Sequence, residues 1–210
     1  MSDPIIAVLT GDLIASRQRD REALYRCLDD TLGALARRHN GDFHRFRGDG
    51  FQLAIRQGDR GLEAAVALRA SLIGQSPAHE RWDARVAVAR GPAGWVPGAP
   101  LADADDPPFM ASGQALDGLS ANGAHLGFDP SETTAESLLI RYLDEMIDAW
   151  SSPSAQVVAL SLAEPELTQA EMAGRLGIRQ PSVHKRLKTA RWALLSDTLA
   201  CLASAAQERT

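Results

Sequence analysis

The sequence predicts an α+β protein in which a β-α-β-β-α-β domain precedes an all-α module. In the first half, short segments that are wholly apolar or that alternate apolar and polar residues are interleaved with segments whose apolar residues recur at helical spacing. Beyond residue 134 the apolar residues recur only at helical spacing. The 210 residues, 45% of them hydrophobic, suit a domain of about 150 residues plus a small module. We therefore expect a sheet domain over 1–130, a connecting helix over 131–150 and an all-α domain over 151–210.

The elements of the first domain follow from periodicity and turn residues. An apolar run predicts a buried strand at 5–10, and Gly48-Asp49-Gly50 separates two segments as a hairpin. The predicted order is strand 5–10, helix 17–39, strands 43–47 and 51–56, helix 62–73 and strand 82–89. This is the ferredoxin-like order, for which we expect helices on one face of the sheet.

The middle of the chain is less regular. Prolines and glycines predict an extended loop over 91–108, followed by a helix at 112–121, a short strand at 125–128 and a helix at 135–150. In the last helix we expect one apolar side to face the core, formed by Leu138, Leu139, Tyr142, Leu143 and Met146. We interpret Cys27 and Cys201 as core residues without a disulfide or zinc site, and assign no chemistry to His44 and His125.

The segment 167–191 has the pattern of two short helices joined by a turn. Thr168 and Glu171 have the spacing of a capping box, Gly177 ends the first helix, and Pro181 suits the first turn of the second. The apolar positions expected to interlock the pair are Met172, Ala173, Leu176, Ile178, Val183 and Leu187. Through Ala173, Gly177 and Val183 the segment resembles the helix-turn-helix of bacterial regulators, with a helix at 156–162 before it.

The charge of this segment indicates double-stranded DNA as a partner. Between Thr168 and Trp192 six Lys and Arg residues face one Glu, a net charge of +5 in a chain whose total is −5. In the usual docking, base edges are nearest Gln180, Ser182, His184 and Lys185, whereas Arg179, Lys188 and Arg191 lie nearer phosphates. Arg186 is a further predicted DNA-binding residue. The alternatives are a helical hairpin with a solvated basic face and a winged-helix-like module that binds protein.

The last segment, 192–206, either continues the second helix or follows it closely. Its apolar stripe is Trp192, Leu195, Leu199 and Leu202. Core packing and a dimer contact both explain the stripe. We expect a homodimer, because helix-turn-helix proteins commonly pair to reach two half-sites.

Two acids of the first domain are predicted to meet at one edge of the sheet. Asp12 follows the first strand, and Asp49 lies at the tip of a hairpin beside that strand. Paired carboxylates suit Mg²⁺ or Mn²⁺ held together with a triphosphate. Backbone N–H groups from Leu13 to Ser16 are placed to cradle the phosphates. The alternative is a pair of ordinary turn acids.

The two segments that carry these acids, IIAVLTGDLIASR and FHRFRGDGFQLAI, resemble the metal-bearing motifs of class III nucleotidyl cyclases. With RVAVARG, SGQALDGL and TQAEMAGRLGIRQPSVHKRLK, nearly the whole chain resembles the SatD family of bacterial proteins. The cyclase resemblance implies Asp12 and Asp49 as metal ligands, with the carbonyl of Leu13 as a further one. We place Ser16, Arg17 and Arg45 in the nucleotide site.

The chain departs from the cyclase pattern at the positions of catalysis. Arg45 stands where the cyclases have a purine-reading Lys. If the next conserved glycine is aligned with Gly113, then Met110, Asp117 and Ala121 replace the base-reading acid, the transition-state Asn and the phosphate-neutralising Arg. An acid and an alanine there remove groups that stabilise charge in phosphoryl transfer. This pattern argues against catalysis.

The leading hypothesis is a transcriptional regulator whose cyclase-like domain senses a nucleotide with a divalent metal. The alternatives are a nucleotidyl cyclase or other nucleotide-processing enzyme with a DNA-targeting module, and a first domain that is only an oligomerisation scaffold. We expect a cytoplasmic location without membrane attachment, because the sequence has no long apolar run and no signal-peptide pattern.

Overall fold

A five-stranded sheet organises the chain in a computed structural model that describes residues 3–14, 21–46, 48–128 and 133–208. The strands are β1 (Ile5–Leu13), β2 (Gly41–Arg45), β3 (Gly50–Ile55), β4 (Ala84–Pro92) and β5 (Leu126–Phe128). The helices are α1 (Arg21–Arg38), α2 (Gly61–Gly74), α3 (Pro107–Asn122), α4 (Thr134–Asp148), α5 (Ser152–Ala163), α6 (Gln169–Leu176), α7 (Gln180–Thr189) and α8 (Trp192–Glu208).

The sheet has the strand order β2-β3-β1-β4-β5, with β1 at its centre. β1 pairs antiparallel with both β3 and β4, and β5 adds to β4 in parallel. Ala7 and Leu9 point to one face of the sheet and Ile6 and Val8 to the other, and all four are fully buried. Burial on both faces explains the continuous apolar run of this strand. The first six elements confirm the predicted ferredoxin-like order.

The two helices of the ferredoxin-like arrangement, α1 and α2, lie on one face of the sheet as expected, whereas α3, which follows that arrangement, covers the other face. The largest core joins the Ala7 and Leu9 face to apolar residues of α1, α2, α4, α5 and α8. On the opposite face α3 packs against β1 and β4. Strands buried on both faces require such cover on each side.

The segment 91–108 is not the exposed loop that its prolines and glycines indicate. Trp95 and Leu101 are each only 5% exposed, and they pack with Phe109 of α3 against Ile6 and Val8. The turn residues predicted the irregular backbone correctly. They gave no sign that two large apolar side chains cover the second face of the sheet.

Only part of the predicted apolar side of α4 faces the core: Leu143 is buried and Met146 packs against the main core. The buried apolar residues are Ile140, Leu143 and Ile147, whereas Leu138, Leu139 and Tyr142 are 49%, 39% and 68% exposed. Asp144 and Asp148 lie on the buried side, where both bind the guanidinium of Arg69 in α2. These ion pairs connect α4 to α2.

The C-terminal helices match the predicted pattern closely. The Thr168 hydroxyl accepts from the Glu171 amide while the Glu171 carboxylate accepts from the Thr168 amide, which confirms the capping box, and Gly177 ends α6 at a φ of 63°. The predicted interlocking residues form a small core of their own between α5, α6 and α7.

The apolar stripe on α8 packs into the protein core, because Leu195 and Leu199 are buried in the cluster that also contains residues of the sheet. α8 does not continue α7: Arg191, at a φ of 58°, separates them. Cys27 is buried as expected, whereas Cys201 on α8 is exposed, contrary to the expectation. No helix in the described ranges is both long and apolar enough to cross a membrane.

Candidate functional site

The first candidate site is the outer surface of α7. Val183 and Leu187 fix the inner face of this helix in the small core, and the helix therefore presents its remaining residues outward. Of the predicted DNA-binding residues, six are exposed and two are partly buried. The exposed ones are Arg179, Gln180, His184, Lys185, Lys188 and Arg191, and the partly buried ones are Ser182 and Arg186.

The charges of this surface are mostly unpaired. Within the described part of the chain, Arg179, Lys185, Lys188 and Arg191 form no ion pair. Arg186 reaches the amide oxygen of Gln156 on α5 at 3.5 Å. Arg175 differs, because its guanidinium makes two contacts of 2.5 and 2.8 Å with the Glu164 carboxylate. The basic charge is therefore concentrated on α7 and at its two ends.

The second candidate site is the edge of the sheet where β1 ends. Asp12 is paired in register with Gly50, the residue after Asp49, and the Leu13 amide donates to the Asp49 carbonyl at 3.2 Å. The antiparallel pairing of β1 with β3 thus brings the segments that carry the two acids together.

Asp12 already has a cationic partner that the sequence analysis missed. Arg85 of β4 is its register partner, and the guanidinium Nε and Nη2 contact the Asp12 carboxylate oxygens at 2.8 and 2.5 Å. The hydrogen bond to Asp12, with a contribution from nearby Asp49, raises the pKa of Arg85. The sign of this pair in the sequence was a charged residue, Arg85, in a strand whose apolar residues Val86 and Val88 alternate with others. A divalent ion at Asp12 has to displace this guanidinium or share the carboxylate with it.

The predicted phosphate cradle is only partly available. The amides of Leu13 and Ile14 donate to the carbonyls of Asp49 and Asp83, so these two are not free for a phosphate, contrary to the expectation. Ser16 and Arg17, placed in the nucleotide site by the sequence, lie outside the described residues.

Arg45, the third predicted nucleotide residue, is held by α1. Its Nε lies 2.8 Å from the Asp29 carboxylate, and its guanidinium lies 4.6 Å from the centre of the Tyr25 ring. To bind a nucleotide through two hydrogen bonds or by stacking on its base, Arg45 has to leave Asp29 and Tyr25. Met110 and Asp117 on α3 are exposed, as solvated helical residues are.

A third group of titratable residues surrounds Arg69. Asp83, His125 and Asp148 each offer an atom within 4.8 Å of the others, a spacing that suits a metal ion. Arg69, which is fully buried, donates to Asp83 through Nε and Nη2 at 2.9 Å and to Asp148 at 2.6 Å. The His125 ring binds the same Asp148 carboxylate at 2.9 Å, so this histidine, to which the sequence assigned no chemistry, belongs to the group. Because a guanidinium already satisfies both acids, the group fits a structural ion-pair network better than a metal site.

Comparisons with known proteins give a similar fold and no family. No family model and no curated protein matches the chain. Among solved structures, the active GGEEF domain of a diguanylate cyclase from Vibrio cholerae is 14% identical over 61% of this chain and 85% of that one, with a TM-score of 0.48. A bacterial light-regulated adenylyl cyclase is 10% identical over 60% and 75% of the two chains, with a TM-score of 0.45.

The catalytic core of a rhodopsin-guanylyl cyclase with converted specificity is 17% identical over 56% of this chain and 73% of that one, with a TM-score of 0.42. These scores are all below 0.5, so we draw no functional conclusion from the similarities. The resemblance to the SatD family rests on the sequence motifs alone.

Proposed function

We propose that the protein binds double-stranded DNA through α6 and α7 and acts as a transcriptional regulator. The observation that carries this proposal is the surface formed by α7 and its two ends, where four cationic side chains are exposed and without acidic partners in the described chain. A protein surface with unpaired positive charges on one short helix attracts phosphates, and α7 is narrow enough for the major groove.

The position of each residue along α7 supports a division of roles. Gln180, Ser182 and His184 lie in the first half of the helix, which in this docking is nearest the base edges, with Lys185 beside them. Arg179 and Lys188 flank this group and face the phosphates, as does Arg191 beyond the helix. Arg186, in contact with Gln156, supports the helix and adds charge.

The salt dependence of DNA binding tests this proposal. Each lost phosphate contact reduces the slope of log affinity against log salt by about 0.9 for duplex DNA. We expect Lys188→Ala to reduce it by about this amount, whereas Arg26→Ala on the surface of α1 leaves it unchanged. The measurement is fluorescence anisotropy with labelled genomic fragments at several salt concentrations. An absence of binding by the parent chain, or equal slopes for both variants, would contradict the proposal.

A second candidate function is nucleotide binding with Mg²⁺ or Mn²⁺ at the edge formed by Asp12 and Asp49. The observation in its favour is the register that joins the two acidic segments, with Arg85 beside them. We propose that Arg85 releases Asp12 when a metal–nucleotide binds and then contacts a phosphate. This site serves either a sensor domain or, as the alternative function, a nucleotidyl cyclase or related enzyme.

Calorimetry and a product assay separate these possibilities. The chain is titrated with each nucleoside triphosphate in the presence of Mn²⁺, and the mixture is then analysed for cyclic or hydrolysed products. We expect binding that Asp12→Asn abolishes and that Asp197→Asn, at an exposed acid on α8, leaves unchanged. Binding without turnover supports a sensor, and turnover that is lost in Asp12→Asn supports the enzyme. If no nucleotide binds, the sensor and the enzyme are both contradicted, and the first domain is interpreted as an oligomerisation scaffold.

A further inference from the structure

An exposed aromatic ring lies beside the edge where the segments of Asp12 and Asp49 meet. Phe46 directly follows β2, and its side chain is 40% exposed. Its amide donates to the Gly50 carbonyl at 2.9 Å, so the residue lies at the base of the hairpin that carries Asp49. A single exposed apolar side chain has no significance by itself. The position of this one relative to the acids gives it a role.

The alternation of side chains along β2 places this ring on the face of the sheet opposite α1. Phe43 packs against the main core on the α1 side, and the Arg45 guanidinium lies over the Tyr25 ring of α1. Successive side chains of an extended chain point to opposite faces, so Phe46 points away from α1. Arg45, which the sequence placed in the nucleotide site, and Phe46 therefore lie on different faces.

The Phe46 ring and the Asp12 carboxylate share one face of the sheet, with Gly50 between them. A Cβ atom at Gly50 would lie 3.6 Å from Cδ2 of the Phe46 ring and 3.8 Å from Phe46 Cβ, so the two positions are neighbours on one face. Gly50 is also the register partner of Asp12, and opposite residues of an antiparallel pair share a face. Because glycine has no side chain, bare backbone separates the ring from the carboxylate.

Arg85 of β4, the other register partner of Asp12, extends these positions into a row across four strands. Neighbouring strands are about 4.8 Å apart, so the row is roughly 14 Å long. It offers in order an aromatic surface, an open gap, a carboxylate and a guanidinium. A nucleotide presents matching groups in the same order, because its base can stack, its sugar fits the gap, and its phosphates bind a metal ion and an arginine.

His44 of β2 holds the Phe46 ring in place. The ring centres are 5.1 Å apart and the planes are inclined at 76°, an edge-to-face contact. Such a contact covers at most one face of Phe46, so a face remains for a ligand. A side chain that is already held by a neighbour loses less conformational freedom when a ligand binds.

We propose that Phe46 stacks on the base of a nucleoside triphosphate whose phosphates and metal ion lie at Asp12 and Arg85. This inference rests on the second candidate function, to which it adds the position of the base. It assigns the contact with the base to Phe46 rather than to Arg45, whose guanidinium is bound by α1 on the opposite face.

Calorimetry with the full chain and Mn²⁺ tests this inference by comparing ATP and GTP with inorganic tripolyphosphate, which lacks a base. We expect Phe46→Ala to weaken nucleotide binding at least about fivefold, because base–aromatic stacking is lost, and to leave tripolyphosphate binding unchanged. Phe46→Trp, which keeps an aromatic face, should bind the nucleotides at least as tightly as the parent chain. Val96→Ala, at another exposed apolar residue, is the matched control.

The outcomes separate this inference from the function on which it rests. If Phe46→Ala binds the nucleotides as the parent does, or weakens all three probes by the same factor, the base does not stack on this ring. If tripolyphosphate binds and neither nucleotide does, the base site is overturned while the metal–phosphate site stands. If none of the probes binds, the second candidate function fails, and the inference fails with it.

Discussion

Arg69 shows how a single residue can organise distant parts of the chain. It is fully buried on α2, and its guanidinium reaches Asp83 before β4 and both Asp144 and Asp148 on α4. Burial opposes its charge, but the hydrogen bonds and charges of Asp83 and its neighbours raise the pKa of Arg69 and keep it ionised. Removal of one partner from such a buried network typically costs about 3–5 kcal/mol, because it leaves a charge unpaired.

Asp148 gives a pH-dependent prediction for this network. Burial acts to raise the pKa of Asp148, but hydrogen bonds from His125 and Arg69 outweigh it and lower the pKa. The ionised carboxylate therefore stabilises the fold above the unfolded pKa of about 4, and this stability is lost as the pH falls through the lower folded pKa.

We expect Asp148→Asn to reduce the free energy of unfolding at pH 7, with a difference that shrinks as the pH falls below about 4. Urea denaturation at several pH values measures the difference. Glu145→Gln on the same helix is the control, because Glu145 has no side-chain partner in the described chain. A difference that is independent of pH would rule out the carboxylate charge as its source.

At the scale of the element, α6 is a helix of eight residues that depends on its ends. The reciprocal bonds between Thr168 and Glu171 satisfy amides at its start, and Gly177 ends it in a left-handed conformation. Helices this short are only marginally stable in isolation, so α6 depends on its caps and on the packing of Met172 and Ala173.

Thr168→Ala is therefore expected to destabilise the α6–α7 pair by about 1 kcal/mol. Hydrogen exchange of the α6 amides should become faster, while the amides of the sheet change little. Thr198→Ala is the matched control, because that hydroxyl bonds only to the Leu194 carbonyl within α8. Equal exchange in the two variants would show that the cap contributes nothing.

At the scale of the molecule, the C-terminal helices share the main core with the sheet. Leu195 of α8 and Val158 of α5 belong to the same buried cluster as Leu9 of β1. Among the described C-terminal helices, α6 and α7, with part of α5, have a separate small core. The proposed DNA-binding pair is thus attached to the sheet domain through α5 and α8.

One apolar surface remains exposed and is adjacent to the end of α7. Leu139 and Tyr142 of α4 and Leu194 of α8 line a groove of about 440 Å³. Exposed apolar patches commonly mark interfaces, and two half-sites in DNA require two copies of α7. We propose a second copy of this chain as the occupant, which gives the expected homodimer a specific surface.

Sedimentation velocity tests this proposal. We expect the parent chain to form a concentration-dependent dimer that Tyr142→Glu shifts to monomer. Val96→Glu, which replaces another exposed apolar residue in the loop over the opposite face, should leave the dimer intact. A parent chain that remains monomeric at all concentrations, or dimers unaffected by Tyr142→Glu, would contradict this surface.

The sequence by itself determined the features that depend on near neighbours in the chain. The capping box at Thr168, the left-handed Gly177 and the alternation in β3 involve residues a few positions apart, so their physics is visible in the sequence. The ferredoxin-like order and the separate core of α6 and α7 followed from these local patterns. The basic charge of α7 was equally visible, because composition does not depend on folding.

The tertiary structure decided which distant residues meet. The Asp12 and Arg85 pair spans 73 positions, and the buried bonds of Arg69 to Asp144 and Asp148 span 75 and 79. Such pairs depend on strand register and helix packing, which no local pattern specifies. For the same reason the sequence placed the apolar side of α4 only partly correctly, because Leu143 is buried whereas Leu138 and Tyr142 are exposed. Interactions between residues near in sequence determine which segments form helices and strands. Long-range contacts determine which faces of those helices and strands are buried and where sites form between them.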